Sequence, residues 1–324
     1  MNAIEVENLV KRFGDFEAIR DVSFKVRGGE IFAFLGPNGA GKTTTVHILT
    51  TLLKPTGGKA FVAGYDVREE AKEIRKRTGI VFQDPSLDRD LTAYENMLIH
   101  GGVYGLSGAD FKRKIENLLK FVELWEFKDK PVKYFSGGMQ RRLEIARSLL
   151  HEPEVLFLDE PTLGLDPQTR AHIWEYIETM REEKSVTIFL TTHYMDEAEK
   201  LADRVAIIDR GEIIAEGSCE ELRRMAGNDV IYVRFDGETS CFEAEFIRMC
   251  KILSDGRVKL DVDNVAEALP MLFELAREKG VRISEVSYHT PTLNDVFLHL
   301  TGKEIRDEGE DNFLRVIARA RLRR

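Results

Sequence analysis

Ile31-Phe32-Ala33-Phe34-Leu35-Gly36-Pro37-Asn38-Gly39-Ala40-Gly41-Lys42-Thr43 is the stretch that decides how this chain folds. Five apolar residues predict a short buried strand, and the eight that follow fit the pattern GxxxxGK[ST]. Gly36, Gly39 and Gly41 let the backbone curl tightly and point its N–H groups at phosphate oxygens, with Pro37, Asn38 and Ala40 completing the loop. The amino terminus of the helix that must follow adds a partial positive charge. Lys42 is suited to the β and γ phosphates of a nucleoside triphosphate and Thr43 to Mg²⁺, with Thr44 beside them in the first helical turn.

A second element, Glu154-Val155-Leu156-Phe157-Leu158-Asp159-Glu160, is a buried strand that ends in two adjacent acids. Successive strand side chains point to opposite sides, which predicts different roles for the two carboxylates. Asp159 suits the Mg²⁺ shell, and Glu160 suits a general base for the attacking water.

Around these two elements the apolar pattern alternates between strand and helix. Strands are expected near 3–7, 22–26, 31–35, 60–63, 155–158, 186–190 and 205–208, with helices from the phosphate loop through Leu53 and near 167–183 and 195–201. Between 92 and 127 the spacing turns helical, with Phe111, Ile115, Leu118, Leu119 and Val122 on one face. The reading is an α/β domain over 1–225 with a helical insert at about 84–150, built on a mainly parallel sheet with its sites at the strands' carboxyl ends. Ala226-Gly227-Asn228-Asp229 is a candidate boundary. Past it, 229–302 reads as a small α+β domain, with strands near 230–235, 257–262 and 281–286 and a helix near 265–279.

Composition narrows the classes. A net charge of −9 argues against a nucleic-acid binder, although the last ten residues carry five arginines. Cys219, Cys241 and Cys250 form no CxxC pair, so neither a disulfide framework nor a zinc site is expected, and a reducing cytoplasm is. Residues 1–7 alternate like a strand rather than a signal peptide, and no apolar run is long enough to cross a bilayer. Residues 313–324 can be drawn as an amphipathic helix with Arg315, Arg319 and Arg323 on one side, touching lipid headgroups or a membrane subunit, or else as a solvated terminus.

Phe135-Ser136-Gly137-Gly138-Met139-Gln140-Arg141-Arg142, placed just before the acidic strand, resembles the signature of ATP-binding cassette (ABC) ATPases. Gln83 in Val81-Phe82-Gln83-Asp84, Asp166 in Leu163-Gly164-Leu165-Asp166 and His193 in Thr191-Thr192-His193 extend the likeness in order. The resemblance implies a P-loop NTPase fold and two domains closing head to tail on ATP. Ser136, Gly137 and Gly138 would then meet the γ-phosphate held by the opposing subunit. It further implies that Gln83 touches Mg²⁺ and water, that His193 holds the γ-phosphate and orients Glu160, and that Asp166 links the two sites. Phe13 would stack on adenine, or else sit in the core after the first strand. Met139 stands where many members carry glutamine, whose amide hydrogen bonds it cannot repeat.

Residues 287–302, together with Tyr134–Met139 and Asp90-Leu91-Thr92-Ala93-Tyr94-Glu95-Asn96, resemble the daunorubicin-resistance-like branch, whose ATPases serve ABC-2-type exporters. The chain is therefore expected to be a peripheral ATPase on the cytoplasmic face of the membrane. It would power a separate permease that exports drugs, lipids or glycans, probing no nucleic acid and pairing with a second copy as a homodimer. Thr292 is expected to cap a helix that turns Val296, Phe297, Leu298 and Leu300 inward. The rival reading is a soluble ABC ATPase with a regulatory or nucleic-acid-related role. Against it stand the lack of a coiled-coil insertion, of zinc-binding cysteines and of a second cassette. The lack of an NKxD motif argues against a GTPase.

Overall fold

The computed structural model describes residues 2–236 and 241–302. The tail expected at 303–324, with its amphipathic helix, lies outside them. Two compact units divide the chain, Met1–Cys219 and Glu220–Glu304.

The first unit opens with a long hairpin, β1 (Asn2–Phe13) and β2 (Phe16–Arg27), which joins β4 (Gly57–Val62) and β5 (Tyr65–Asp66) in an antiparallel sheet of order β2-β1-β4-β5. A second sheet has the order β10-β9-β3-β8-β7-β6. Its strands are β3 (Ile31–Leu35), β6 (Thr78–Val81), β7 (Val155–Asp159), β8 (Thr187–Thr192), β9 (Arg204–Asp209) and β10 (Glu212–Gly217). All neighbours there run parallel except β10, which turns back on β9. The helices of this unit are α1 (Lys42–Leu49), α2 (Ala71–Arg77), α3 (Ala93–Val103), α4 (Gly108–Phe121), α5 (Gly137–Ser148), α6 (Pro167–Lys184) and α7 (Met195–Leu201); α8 (Cys219–Ala226) begins at its border.

The parallel sheet is covered on both faces, which is why its strands read as unbroken apolar runs. Ile31, Leu156, Leu158, Ile188 and Leu190 pack into a core shared with the helical insert, including Phe111, Ile115, Leu118, Leu119 and Val122 of the expected stripe. The alternate side chains Phe32, Phe34, Val155, Phe157 and Phe189 pack against the antiparallel sheet. Phe24 of β2 joins three of these rings, at centroid distances of 5.4–5.8 Å from Phe32, Phe34 and Phe189.

Several boundaries moved. Helix α1 stops at Leu49 rather than continuing through Leu53. Thr51 takes a left-handed φ of 65°, and the N–H groups of Leu52 and Leu53 both fold back to the His47 carbonyl. The first strand is twelve residues long, because a hairpin partner satisfies backbone groups that the short apolar run did not announce.

The second unit holds an antiparallel sheet of order β12-β13-β11-β14, from β11 (Asp229–Asp236), β12 (Ile247–Ile252), β13 (Val258–Val262) and β14 (Arg282–His289). Ile231, Val233, Phe235, Val258, Leu260 and Val262 face α9 (Val265–Glu278) through Ala268, Leu272 and Ala276. Thr292 caps α10 (Leu293–Thr301) in a capping box with Asp295. Of the four residues expected to turn inward, Val296 and Phe297 are buried, while Leu298 and Leu300 are 39% and 36% exposed. The buried set is Leu293, Val296 and Phe297, an i, i+3, i+4 stripe that leaves the other two on the far side.

The expectation of unpaired cysteines is overturned. Cys241 and Cys250 form a disulfide, with Cα atoms 5.8 Å apart, and Cys219 stays outside it. Pairing depends on the fold returning Cys250 on β12 toward Cys241, which spacing alone does not reveal.

Candidate functional site

Three neighbouring parallel strands deliver the site. In register, Leu35 lies beside Thr192, and Asp159 beside Thr191. The phosphate loop, the acid pair and His193 therefore leave the same sheet edge, although far apart in sequence.

Two glycines of the loop are needed for steric reasons. A Cβ on Gly36 would stand 2.2 Å from the Ile208 carbonyl oxygen, and one on Gly41, at φ +109°, would stand 2.8 Å from that of Ala18. The Gly211 N–H donates to the Ala40 carbonyl at 2.9 Å, so the β9–β10 turn backs the loop. Asn38 and Gly39 are exposed, Pro37 half-buried and Thr44 buried in the first turn of α1. Lys42 bends back over the loop, its Nζ donating to the carbonyls of Gly36 (2.8 Å) and Pro37 (3.1 Å).

Asp159 Oδ1 accepts from the hydroxyls of Thr191 and Thr43, the latter at 3.3 Å. Its Oδ2 is buried with no hydrogen-bond partner among the described residues. Burial pushes this carboxyl up, against the hydroxyls of Thr191 and Thr43. A cation at Thr43 and Asp159 would engage the orphaned oxygen and favour the charged form, so these oxygen donors fit Mg²⁺.

Glu160 does not simply continue the strand's alternation, because its φ is 47°. That left-handed turn, secured by its N–H donating to the Thr191 carbonyl and hydroxyl at 3.1 Å each, aims the side chain at Lys42. Oε1 lies 3.0 Å from Lys42 Nζ, and Oε2 lies 3.1 Å from His193 Nδ1. Burial would raise the Glu160 carboxyl, but His193 and the Lys42 charge outweigh it and hold the group below its ordinary value. An ionised acid beside a histidine is the form a general base requires.

The remaining expected residues lie apart from this cluster. Ser136 caps α5, accepting from the Met139 N–H at 3.3 Å, and Gly138 is buried where a Cβ would meet Thr169 Cγ2 at 2.4 Å. Asp166 is an exposed N-cap for α6, accepting from Thr169 N–H at 3.0 Å. No hydrogen bond or ion pair among the described residues joins Ser136, Gly137, Gly138 or Asp166 to the phosphate loop. Phe13 is 37% exposed at the end of β1, with Lys11 Nζ 4.9 Å from its ring centroid, which excludes the core reading.

Gln83 is held by its backbone, and here sequence reasoning missed the partners. Arg141 of α5 donates to the carbonyls of Phe82 (2.5 Å) and Gln83 (2.8 Å) and pairs with Glu144 at 3.1 Å. Glu144 accepts from the Ser86 N–H at 2.7 Å, and Arg147 donates to the Ser86 carbonyl at 2.9 Å. Charges at i, i+3 and i+6 on a helix that also carries Leu143 and Ile145 inward were the available signal.

Models of two families match the chain, that of the ABC transporter over residues 19–163 and that of the ATP-binding protein DrrA1-3-like, C-terminal domain, over 217–301. The daunorubicin resistance ATP-binding protein DrrA3 of Streptomyces coeruleorubidus is 40% identical, over 94% of this chain and 97% of that one. The Nod factor export ATP-binding protein I of Cupriavidus pinatubonensis (strain JMP 134 / LMG 1197) is 39% identical over 94% and 92%. The ATP-binding cassette MJ0796, solved as a dimer in a post-hydrolysis state bound to ADP and Pi, superposes with a TM-score of 0.60 at 29% identity, covering 66% of this chain and 98% of that one. With a phosphate loop, an acid pair and a histidine converging on one sheet edge, the chain belongs to the ABC transporter family as an ATP-binding subunit with a DrrA-type C-terminal domain.

Proposed function

We propose that this ATPase subunit energises an ABC-2-type permease that exports drugs, lipids or glycans, working as a homodimer on the cytoplasmic face of the membrane. The observation that carries the hydrolytic reading is the buried chain Lys42–Glu160–His193, in which one carboxylate touches both partners at 3.0 and 3.1 Å. The triphosphate binds along residues 36–43, where the loop N–H groups and Lys42 neutralise its charge. Phe13, exposed at its strand end, offers adenine an aromatic face.

Glu160 accepts a proton from a water as its oxygen attacks the γ-phosphorus, and the bond to the β-phosphate oxygen breaks to release ADP. His193 fixes the carboxylate's orientation and meets the γ-phosphate. Mg²⁺ would be held by Thr43, Asp159 and Gln83 and would supply charge neutralisation at the phosphates. Ser136, Gly137 and Gly138 complete the site of a second copy from the N-terminus of α5, and Asp166 meets that copy beside them. No described helix is long and apolar enough to cross a membrane, which is in keeping with a separate subunit that supplies the translocation path.

Two measurements test the reading. ATP turnover that depends on Glu160, and co-purification of a polytopic membrane protein with the tagged chain from its own membranes, are the expected results. Full turnover in Glu160→Gln, or recovery with soluble partners alone, would overturn it.

A further inference from the structure

Glu197 is a buried acid to which the hydrolytic scheme assigns no role. It lies on α7, four positions after His193, and is 0% exposed. A carboxyl group in such a place costs free energy unless its partners compensate. Its Oε1 accepts from Thr162 Oγ1 at 2.7 Å and from Trp174 Nε1 at 3.0 Å. Burial pushes the carboxyl up, opposed by the hydroxyls of Thr192 and Thr162, the Trp174 indole and the Arg170 charge.

The identity of those partners matters more than their number. Thr162 stands two residues after Glu160, in the loop that leads to Asp166. Thr192 immediately precedes His193, and its hydroxyl accepts from the Tyr194 N–H at 3.0 Å. Glu197 therefore bonds the segment that follows the acid pair from a helix that begins two residues after His193. The same seam is fastened from α6, where the Arg170 guanidinium lies 4.1 Å over the Tyr194 ring and 3.4 Å from Asp196 Oδ2. Helix α6 begins at its cap, Asp166.

We propose that Glu197 is a positioning residue that joins the 160–166 loop to the strand end bearing His193, so that displacement of Asp166 by an arriving second copy resets the contact between His193 and Glu160. The inference rests on the assignment of Glu160 and His193 to hydrolysis. It adds a route by which occupancy of one subunit's interface loop reaches the base within the same chain. Thr162 and the start of α7 are the two ends of that route, whereas Trp174, which donates to the same oxygen, lies in neither segment.

The test uses the full-length chain, with steady-state MgATP hydrolysis across ATP concentration and a thermal melt for each variant. Glu197→Ala and Thr162→Val should each lower kcat roughly tenfold while the KM for ATP changes by less than about twofold. Their losses should not multiply in the double variant, because both remove the same link. Glu197→Gln, which keeps an acceptor oxygen for Thr162, should recover most of the turnover. Trp174→Phe should lower the melting temperature yet leave kcat near wild type. Normal kcat in Thr162→Val, multiplied losses in the double variant, or an equal kcat loss in Trp174→Phe would overturn the proposal. Should Glu197→Ala fail to fold, the Thr162 and Trp174 variants still decide it. Glu160→Gln separates the two levels: full turnover there removes the hydrolytic reading, whereas its loss beside a normal Thr162→Val removes only the role of Glu197.

Discussion

Nζ of Lys42 sits 3.0 Å from Oε1 of Glu160, and both side chains are almost wholly buried. The ammonium proposed to receive the γ-phosphate is therefore already paired with the carboxylate proposed to activate water. On that proposal, binding of the triphosphate draws Lys42 away, and the competition sets the state of the base.

Replacing Glu160 with Gln removes the proposed proton acceptor and weakens its hold on Lys42. Turnover should fall by about a hundredfold or more, the range general-base catalysis supplies. Affinity for ATP should be kept or rise, since a neutral amide competes less for the ammonium. Phosphate release and ATP titration on the same preparation check both halves of the expectation.

Gly138→Ala would drive a methyl group into Thr169 Cγ2, 2.4 Å away. Thr169 is β-branched and its hydroxyl is bonded to Asp166, so it yields poorly. The expected cost is about 1–3 kcal/mol of stability from overpacking. Turnover should drop with ATP binding by the isolated subunit unchanged, which a melt and a binding titration distinguish.

His100 on α3 lies 5.3 Å from the Tyr104 ring and 6.3 Å from that of His151, centroid to centroid, and Tyr104 stacks on His151 at 3.9 Å. Burial first, then the charges of Arg147 and His151, lower the His100 pKa from 6.5 to about 4. A depressed folded value means that stability is fully present above the unfolded pKa and is lost as pH falls through the folded one. The melting temperature should decline between pH 6.5 and about 4, and His100→Leu should flatten part of that slope. An identical slope in the variant would assign the loss to other groups.

The Cys241–Cys250 pair closes a loop with a sequence separation of 9. Thiol titration of the denatured, unreduced protein should find Cys219 alone. Reduction should destabilise the second unit by about 2–3 kcal/mol, on the chain-entropy estimate for a loop of this size. Three reactive thiols before reduction would show that the pair is not formed in the protein as isolated.

The motifs made the candidate site legible because each lies in one uninterrupted stretch tied to a strand end. Residues 31–43 and 154–160 show their strand, turn and chemistry together, and the parallel register then brings them side by side. Arg141, Glu144 and Glu197 were invisible for the opposite reason. Their partners Gln83, Ser86 and Thr162 lie 58, 58 and 35 positions away, and nothing in a helix marks a charge as buried. The disulfide escaped for a related cause, since the return of β12 brings its cysteines together. Helix ends were misplaced where an unannounced left-handed residue such as Thr51 stopped them.

Glu160 also holds a backbone conformation that glycine would adopt more readily, at φ 47°. Left-handed geometry at a side-chain-bearing residue costs about 1–2 kcal/mol. Deleting the side chain would relieve that strain only by stranding the buried ammonium of Lys42, and breaking a buried ion pair costs about 3–5 kcal/mol. The unfavourable peptide is thus held in place by the same carboxylate that is proposed as the base. A screen for thermal tolerance should therefore retain Glu160 even when turnover is never assayed.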